Sequence, residues 1–350
     1  MSYVDNALVA CANLQTNLDN AFTTGELVRD KIPALEAITS YQHPMRMLNS
    51  PGGGKERKVE VIYQQRLQES SVAEVNERGC TATAKPAELS TVYEMTGPIQ
   101  ETATLFTASH LKDSCRDNGE VFATEIARML NAMRRKIATQ VTGEVSLLSG
   151  NWSTDVTVNA NNAYEVATQK ANGDWDPEAL VDINIAARDL TEYTGDYIVV
   201  ANSDMWKYLK MIEIGCCAND GIDLRETFDM YGLAAMYDSR MATAMAAVDA
   251  DAFLINIGSV QLLNYVEAPW LDGTPVGEPF RGATYISQVF TDPVTGLLME
   301  LTVKDECRGK AHVILNAQVQ SKALPSDLFA SGDKYEGVNG INKIAISNPY

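Results

Sequence analysis

Two consecutive segments constrain the fold of this chain most strongly: an alternating, largely polar stretch at about 57–96 and one long amphipathic stretch at about 118–148. Alternation of apolar and polar residues is typical of strands, so the first stretch predicts a β-hairpin. An isolated two-stranded ribbon is only marginally stable in water. Because this hairpin carries polar side chains on both faces, we expect it to lie against another surface, and a neighbouring copy of the chain is the natural candidate. The pattern favours a protein that assembles.

The alternation also defines the two strands of the hairpin and its candidate contact residues. In the first strand Val59, Val61 and Tyr63 alternate with polar residues, and the return strand covers 89–95. The connecting segment 68–87 is polar and charged. If the hairpin packs between copies, its charged and aromatic residues make the intersubunit contacts: Lys58, Tyr63, Glu74, Glu77, Arg78, Lys85 and Tyr93. The alternative is an ordinary surface hairpin of a monomer.

The amphipathic stretch predicts a helix of about 30 residues, which is about 45 Å long. Asp117 or Asn118 can cap its N-terminus, because short polar side chains accept hydrogen bonds from the first free backbone amides. Its polar side carries Arg134, Arg135 and Lys136, which we predict to be solvated or to pair with acidic groups of a neighbouring copy. Apolar residues at helical spacing form one stripe that predicts a packing surface: Phe122, Ile126, Met129, Leu130, Met133, Ile137, Val141, Val145 and Leu148.

The segments before the hairpin predict helices and a loop. Residues 4–22 have apolar side chains at helical spacing, and a second short helix at 27–38 must place Pro33 in its first turns or bend there. Residues 41–55 contain prolines and a glycine-rich run, which is typical of a loop.

The segment 151–270 predicts a compact α/β module. Asp176-Pro177-Glu178 is a strong helix start, with an N-cap aspartate, a proline at the first helical position and an acid in the first turn. Two short apolar strands follow at 196–201 and 253–257, and Ser203 can cap a helix after the first of them. Residues 259–265 predict a helix or turn packed on these strands.

The C-terminal region returns to strands. Residues 285–290 and 297–303 flank the turn-rich link 291–296, which predicts a hairpin, and 311–319 predicts a further strand. The tail after Lys322 is rich in glycine, serine and asparagine, and we expect it to lie along a surface.

The net charge of −18 is distributed unevenly along the chain. Residues 1–150 carry 15 Lys/Arg against 18 Asp/Glu, a balance of −3, whereas residues 151–350 carry 13 against 28, a balance of −15. Phosphate binding needs clustered positive charge, so this chain is not an obvious nucleic-acid binder. If it encloses nucleic acid, it does so without gripping it. No apolar run approaches the ~18 residues of a membrane span, so we expect no membrane association.

No segment carries a recognisable catalytic motif. The glycine-rich stretch 49–56 has Asn49 and Glu56 where a phosphate-binding loop needs glycine and a hydroxyl residue. The three histidines are far apart in sequence, and the six cysteines form no metal-ligand pair. We therefore predict no enzyme activity, no catalytic residue, no cofactor and no metal. A carboxylate metal site is the open alternative at two acidic pairs: Asp174 with Asp176, and Asp220 with Asp223.

The order of these segments resembles the HK97-fold major capsid protein of tailed double-stranded DNA bacteriophages. The local likeness is strongest at 177–190, 197–206, 253–259 and 292–296 with the strand after it. The resemblance implies an α+β fold with an N-terminal arm, an extended β-hairpin (the E-loop), a long spine helix in the peripheral domain and a compact α/β axial domain. It places these parts at 1–56 (helical arm), 57–100 (E-loop), 101–150 (peripheral domain with the spine helix), 151–270 (axial domain) and 271–350 (return to the peripheral β-sheet and C-terminal tail).

The resemblance also implies a role. Members of this family self-assemble into hexamers and pentamers, which close an icosahedral shell around double-stranded DNA without enzymatic turnover. We accordingly expect as partners further copies of the chain, a portal protein, a separate scaffolding protein and a decoration protein. The packaged DNA is expected to be enclosed without sequence-specific contact. We expect synthesis in the host cytoplasm and a final location in the virion.

Two other functions remain open at this point. An encapsulin-like nanocompartment has the same fold and holds cargo enzymes instead of DNA, although encapsulins are typically shorter than this chain. A hydrolase or binding module with a site in 151–270 would need a converging set of polar groups, which the sequence does not show.

Overall fold

A computed structural model of the chain describes residues 32–48, 57–64, 88–95, 99–106, 118–194, 197–217, 233–266, 280–281, 285–306, 310–325 and 334–347. The helices in these ranges are α1 (Pro33–Thr39), α2 (Asn118–Leu148), α3 (Glu178–Thr194), α4 (Ser203–Cys217) and α5 (Ser239–Ala246). The strands are β1 (Met45–Leu48), β2 (Lys58–Gln64), β3 (Glu88–Glu94), β4 (Ile99–Phe106), β5 (Ala163–Val166), β6 (Tyr197–Ala201), β7 (Leu233–Tyr237), β8 (Ala252–Asn256), β9 (Val260–Tyr265), β10 (Phe280–Arg281), β11 (Tyr285–Thr291), β12 (Leu298–Glu306), β13 (Lys310–Ala323) and β14 (Ile341–Ile346). The helix predicted at 4–22 lies outside the described residues.

The strands form three sheets of different character. A hairpin sheet has the order β1-β2-β3 and is antiparallel throughout. An antiparallel sheet has the order β10-β11-β12-β13-β4, and β9 pairs with the far half of β13. A mixed sheet has the order β5-β14-β8-β6-β7, in which β5 with β14 and β6 with β7 are parallel. The result is an α+β architecture, as the sequence predicted.

The long helix α2 lies between the antiparallel sheet and the mixed sheet. Its 31 residues correspond to a length of about 46 Å. The predicted apolar stripe is buried at each of its positions from Ile126 to Val145. These side chains share one core with inward residues of the antiparallel sheet, such as Val313 and Leu315, and with one face of the mixed sheet. The helix therefore connects the two larger sheets through a single core.

Arg134 departs from its predicted place on the polar side of this helix. Its side chain is 0% exposed and forms a buried ion pair with Asp292, which is also 0% exposed. The guanidinium Nε donates to both carboxylate oxygens of Asp292 at 3.1 and 3.0 Å, and Nη2 donates to Oδ1. Arg134 lies four residues after Leu130 and three before Ile137, so helical geometry places it on the buried stripe. The prediction that it is a solvated intersubunit contact is wrong.

Asp292 belongs to the turn that joins β11 to β12. Its second oxygen accepts from the Thr295 hydroxyl at 2.5 Å and from the Thr295 amide at 3.3 Å. Gly296, with φ +70°, closes the turn through a backbone hydrogen bond to the Asp292 carbonyl at 2.8 Å. The predicted hairpin around 291–296 is confirmed, and its turn presents a buried carboxylate to the long helix.

The mixed sheet is covered on both faces. Strands β6 and β8 are buried along their whole length, with α3 and α4 on one face and α2 and α5 on the other. The Asp176 side chain accepts from the Glu178 amide at 3.0 Å, as predicted for the start of α3. Helix α4 is capped differently from the prediction, because Asn202 rather than Ser203 accepts from the first amides, at 3.0 and 2.9 Å.

Several strands were not anticipated by the sequence patterns, among them β4, β7 and β10, and three others replace a different prediction. Strand β1 lies in the predicted loop 41–55, and β9 replaces the helix or turn predicted at 259–265. Strand β14 lies in the tail that was predicted to follow a surface, yet it inserts between β5 and β8 in the mixed sheet with Ile341 and Ile344 fully buried. The C-terminal segment 271–350 therefore contributes to two sheets, whereas the domain prediction gave it to one.

The buried ion pair gives the first test. Replacing Arg134 with Met leaves the Asp292 carboxylate buried with its strongest partner removed, which we expect to lower the free energy of unfolding by about 3–5 kcal/mol. The matched control is Met at the exposed neighbour Arg135, expected to change the free energy by at most about 0.5 kcal/mol. Urea denaturation of the unassembled chain measures both. Equal stability of the two variants would contradict the structural role of the pair.

Candidate assembly surfaces

The root of the hairpin is built into the body of the chain. Residues Val59, Val61 and Tyr63 on one face of β2 are buried at 1%, 0% and 1% exposure and share a core with Leu263 and Tyr265 of β9. The hairpin pairing itself is confirmed, with Lys58 opposite Glu94 and Gln64 opposite Glu88. The expectation of two polar faces is wrong for this part, because the second face packs within the same chain.

Side-chain amides fasten the segment before β1 to the edge of β9. The Gln42 side chain donates from Nε2 to the Val260 carbonyl at 3.1 Å and accepts from the Leu262 amide at 2.7 Å. The His43 amide donates to the Gln261 side chain at 2.9 Å. Gln42 thus satisfies a strand edge in the way a neighbouring strand does. This contact holds the base of the hairpin sheet in a fixed position.

An aromatic cluster fills the space under the hairpin root. The His43 ring lies between Tyr41 and Tyr63, with ring centroids 5.6 and 5.5 Å apart in edge-on arrangements. The Tyr63 and Tyr93 hydroxyls lie 3.2 Å apart and share a hydrogen bond. Burial lowers the pKa of His43, and burial together with the Tyr93 hydroxyl raises the pKa of Tyr63. Both shifts favour the uncharged forms of His43 and Tyr63.

The opposite face of the hairpin sheet is open. It carries Val92, whose side chain is 48% exposed, and two oppositely charged cross-strand positions, Arg46 opposite Glu60 and Lys58 opposite Glu94. Among the described strands, β3 pairs with β2 alone, so its outer edge presents backbone amides and carbonyls. Such an edge can accept another chain.

The polar side of α2 forms a second open surface. Arg135 and Lys136 are exposed, as predicted, and Leu147 near the end of the helix is 78% exposed. Arg128 and Glu125 form an exposed ion pair at 2.9 Å on the same helix. This leucine adds apolar area to the exposed surface of the helix, which another molecule can cover.

The predicted contact residues divide into four groups in the structure. Lys58 and Tyr93 are half-buried on the hairpin sheet, whereas Arg135 and Lys136 are exposed on α2. Tyr63 faces the chain's own core, and Arg134 is buried against Asp292. The remaining four candidates lie outside the described residues: Glu74, Glu77, Arg78 and Lys85. Whether any of these residues touches another copy stays a prediction.

Helices α3 and α4 contribute exposed apolar residues. Val181 and Ile185 of α3 and Met211 of α4 are exposed, as is Tyr237 at the end of β7. Spacing by four residues places Val181 and Ile185 together on one face. In the sequence, the spacing of Val181 and Ile185 outside the buried side of α3 was the available sign of an exposed apolar surface.

The described residues show no arrangement typical of a catalytic centre. Within them, no group of three or more His, Cys, Asp or Glu side chains could hold a metal ion. A cleft of about 350 Å³ lies between the hairpin root, β9 and the 292–296 turn, and its walls are apolar and amide side chains such as Met45, Leu262 and Asn264. Among the helices of the described ranges, none has the length and apolar character needed to cross a membrane.

Comparison with known proteins gives matches to solved structures alone. No family model and no curated protein matches the sequence. A chain of the cyanophage A-1(L) capsid is 10% identical, with 91% of this chain and 93% of that chain covered and a TM-score of 0.46. A chain of the cyanophage P-SCSP1u capsid is 8% identical over 88% and 90%, with a TM-score of 0.45. A phage-related protein of Bordetella bronchiseptica is 9% identical over 94% and 95%, with a TM-score of 0.44.

Two of these three structures are phage capsids. At identities of 8–10% and TM-scores below 0.5, the matches transfer no residue roles to this chain.

The same substitution, Val to Asn, tests whether the two faces of the hairpin root differ in burial. Asn at Val61 buries an amide in the core, which we expect to cost roughly 2–3 kcal/mol of unfolding free energy. Asn at Val92, on the open face of the paired strand, should change it by at most about 0.5 kcal/mol. Urea denaturation of both variants provides the comparison. Similar losses would mean that the two faces are equally buried in solution.

The aromatic cluster predicts a pH dependence of stability. The His43 pKa is lowered in the folded chain from its ordinary value of 6.5, so the unfolded state binds the proton more readily. The contribution of neutral His43 to the free energy of unfolding is therefore fully present above about pH 6.5. It is lost as the pH falls from that value towards the pKa of the folded chain. Phe at position 43 keeps a ring and removes this component. Thermal unfolding between about pH 8 and pH 5 should show a smaller acid-side loss for the variant than for the natural chain. Parallel curves would contradict the assignment.

Proposed function

We propose that this chain is the major capsid protein of a tailed bacteriophage, and that its copies assemble into hexamers and pentamers of an icosahedral shell around double-stranded DNA. The observation that carries the proposal is the hairpin sheet, which is fixed to the body by one buried face and leaves its other face and the edge of β3 open. A rigidly rooted, open hairpin is an element for reaching another molecule.

The root of the hairpin and the sequence between its two strands have different energetic requirements. The root is stabilised by the buried face of β2 and by the amide contacts of Gln42 with β9. The sequence between Gln64 and Glu88 is polar and charged, so it offers little apolar surface for a core of its own. Contacts with a second copy would supply the missing stabilisation. In this proposal the hairpin corresponds to the E-loop.

The long helix supplies the rigidity that a shell subunit needs. The helix α2 shares one buried core with the antiparallel sheet and one face of the mixed sheet, so it joins the two larger parts of the chain. In the proposed fold α2 is the spine helix, the antiparallel sheet belongs to the peripheral domain, and the mixed sheet forms the axial domain.

The charge of the chain suits enclosure of DNA better than binding to it. A net charge of −18 does not attract phosphates, so packaged DNA would be held by the closed wall and not by specific contacts. The remaining expectations belong to the same proposal: a portal protein, a separate scaffolding protein and a decoration protein as partners, synthesis in the host cytoplasm and a final location in the virion.

Two other functions make different predictions. An encapsulin-like compartment would use the same contacts but hold cargo proteins, so the contents of purified particles separate it from a DNA-filled shell. A hydrolase or binding module in 151–270 needs converging titratable groups in a pocket. The described cleft lies elsewhere, between the hairpin root and β9, and no acidic, basic or histidine side chain lines it.

Removal of the hairpin tip tests the proposal. Deletion of Glu69 to Lys85 leaves the buried root intact, so we expect a subunit with unchanged secondary structure that no longer closes shells. Negative-stain microscopy and light scattering of the natural and shortened chains measure closure, and circular dichroism measures folding. A matched control replaces the same residues with a glycine-serine sequence of equal length, which should also fail because contacts and not length are lost. Normal shells from either variant would sink the proposed role of the hairpin.

A further inference from the structure

We infer that neighbouring copies meet head to tail through two unlike surfaces on the mixed-sheet helices, an acidic surface on α3 and a lysine-aromatic surface on α4. The inference rests on the proposed function, because it names the contact by which copies form rings. It is carried by exposure, charge and position of the described side chains.

The acidic surface consists of Glu178, Val181, Asp182 and Ile185, which are all exposed on α3. The two carboxylates are spaced by four residues, and so are the two apolar side chains, so each pair forms a row along the helix. Ile185 is 61% exposed. The surface therefore combines negative charge with apolar area that another molecule can cover.

The lysine-aromatic surface consists of Trp206, Lys207, Lys210 and Met211 of α4 with Tyr237 at the end of β7. The Trp206 and Tyr237 rings lie 6.3 Å apart at 34°, and the Lys210 ammonium lies 5.2 Å from the centre of the Trp206 ring. Lys207, Met211 and Tyr237 are exposed, and Asp204 is the acidic residue in the first turn of the same helix. Aromatic and methionine side chains beside basic groups are the composition that protein interfaces favour.

The two surfaces lie towards opposite edges of the mixed sheet. Helix α3 packs against β5, the first strand of the sheet order, and Asp182 is close enough to Tyr164 of β5 to contribute, after burial, to the raised pKa of that tyrosine. Helix α4 packs against β6 and β7, the last two strands of that order. A contact between the two surfaces therefore joins one edge of a copy to the other edge of the next.

This arrangement determines the type of symmetry. Two acidic surfaces repel each other, so a contact that pairs α3 with α3 is disfavoured. Pairing α3 of one copy with α4 of the next uses opposite charges and covers apolar side chains on both sides. Such a contact is heterologous, and repetition of one heterologous contact produces a ring when the rotation closes. The occupant of each surface is thus a second copy of this chain.

Charge reversal on each surface provides the test. The first variant carries Lys207→Glu with Lys210→Glu, and the second carries Glu178→Lys with Asp182→Lys. Each variant places like charges across the contact, so each should need at least about a tenfold higher concentration to assemble. A third chain carries all four substitutions and restores opposite charges with the surfaces exchanged, so it should assemble as the natural chain does. The control is Lys304→Glu, which reverses an exposed lysine on β12.

A mixture of the first two variants gives a result that depends on the head-to-tail geometry. The α3 surface of each variant matches the α4 surface of the other, so the two chains must alternate around a ring. Alternation is possible in a ring of six and impossible in a ring of five. Electron microscopy of the mixture should therefore show hexameric rings without pentameric rings or closed shells.

The outcomes separate this inference from the proposed function. Shells from the natural chain and from both reversal variants at equal concentration would overturn the contact and leave the capsid function standing. Failure of the four-substitution chain and of the mixture, when both single-surface variants are also blocked, would overturn the pairing of these two surfaces. A natural chain that stays monomeric under all assembly conditions would overturn both. Thermal denaturation of each variant establishes that the subunit remains folded.

Discussion

The ion pair between Arg134 and Asp292 fixes the position of the long helix against the antiparallel sheet. An apolar stripe alone permits a helix to slide or rotate by one side chain at modest cost, because one aliphatic contact resembles another. A buried charge does not, since a displacement that separates the guanidinium from its carboxylate leaves both groups unpaired in a core. The hydroxyl and amide of Thr295 complete the hydrogen bonding of the carboxylate, and Asn131 accepts from the Arg134 guanidinium at 3.2 Å. The pair therefore sets the register of α2 and, through it, the relation of the two larger sheets.

The hairpin sheet depends on this frame. Its root lies against β9, which pairs with the far half of β13, and the near half of β13 supports the long helix. The hairpin root is thus connected, through β9, to the same strand that packs against α2. Polar contacts of Gln42 and Gln261 and apolar burial of Val61 act at the same place, so the root is held by two kinds of interaction. This construction explains how the root of a largely polar hairpin is fixed to the body of the chain.

The distribution of exposed groups argues for contacts in several directions. The open hairpin face, the end of α2 and the outer sides of α3 and α4 lie on different parts of the chain, and each combines apolar side chains with charge. An enzyme concentrates its unusual residues in one pocket, whereas a shell subunit has to meet neighbours on several sides. Because the α3 and α4 surfaces differ, a contact between them is heterologous, which is the type of contact that a ring requires.

Elements with local signals were predictable from the order of residues alone. Helical spacing defined α2, alternation defined β2 and β3, and a turn-forming run defined the β11–β12 hairpin, because each pattern is complete within a few tens of residues. The tertiary structure decided which surfaces those elements cover. Strand β14 became a buried strand because β5 and β8 flank it, although its glycine-rich surroundings resemble a loop. Arg134 became a core residue because Asp292 lies across from it, 158 positions away in sequence. The same reason applies to the candidate surfaces: the sequence identified Lys58, Arg135 and Lys136, but the opposed α3 and α4 surfaces depend on the order of strands in a sheet, which no local pattern encodes.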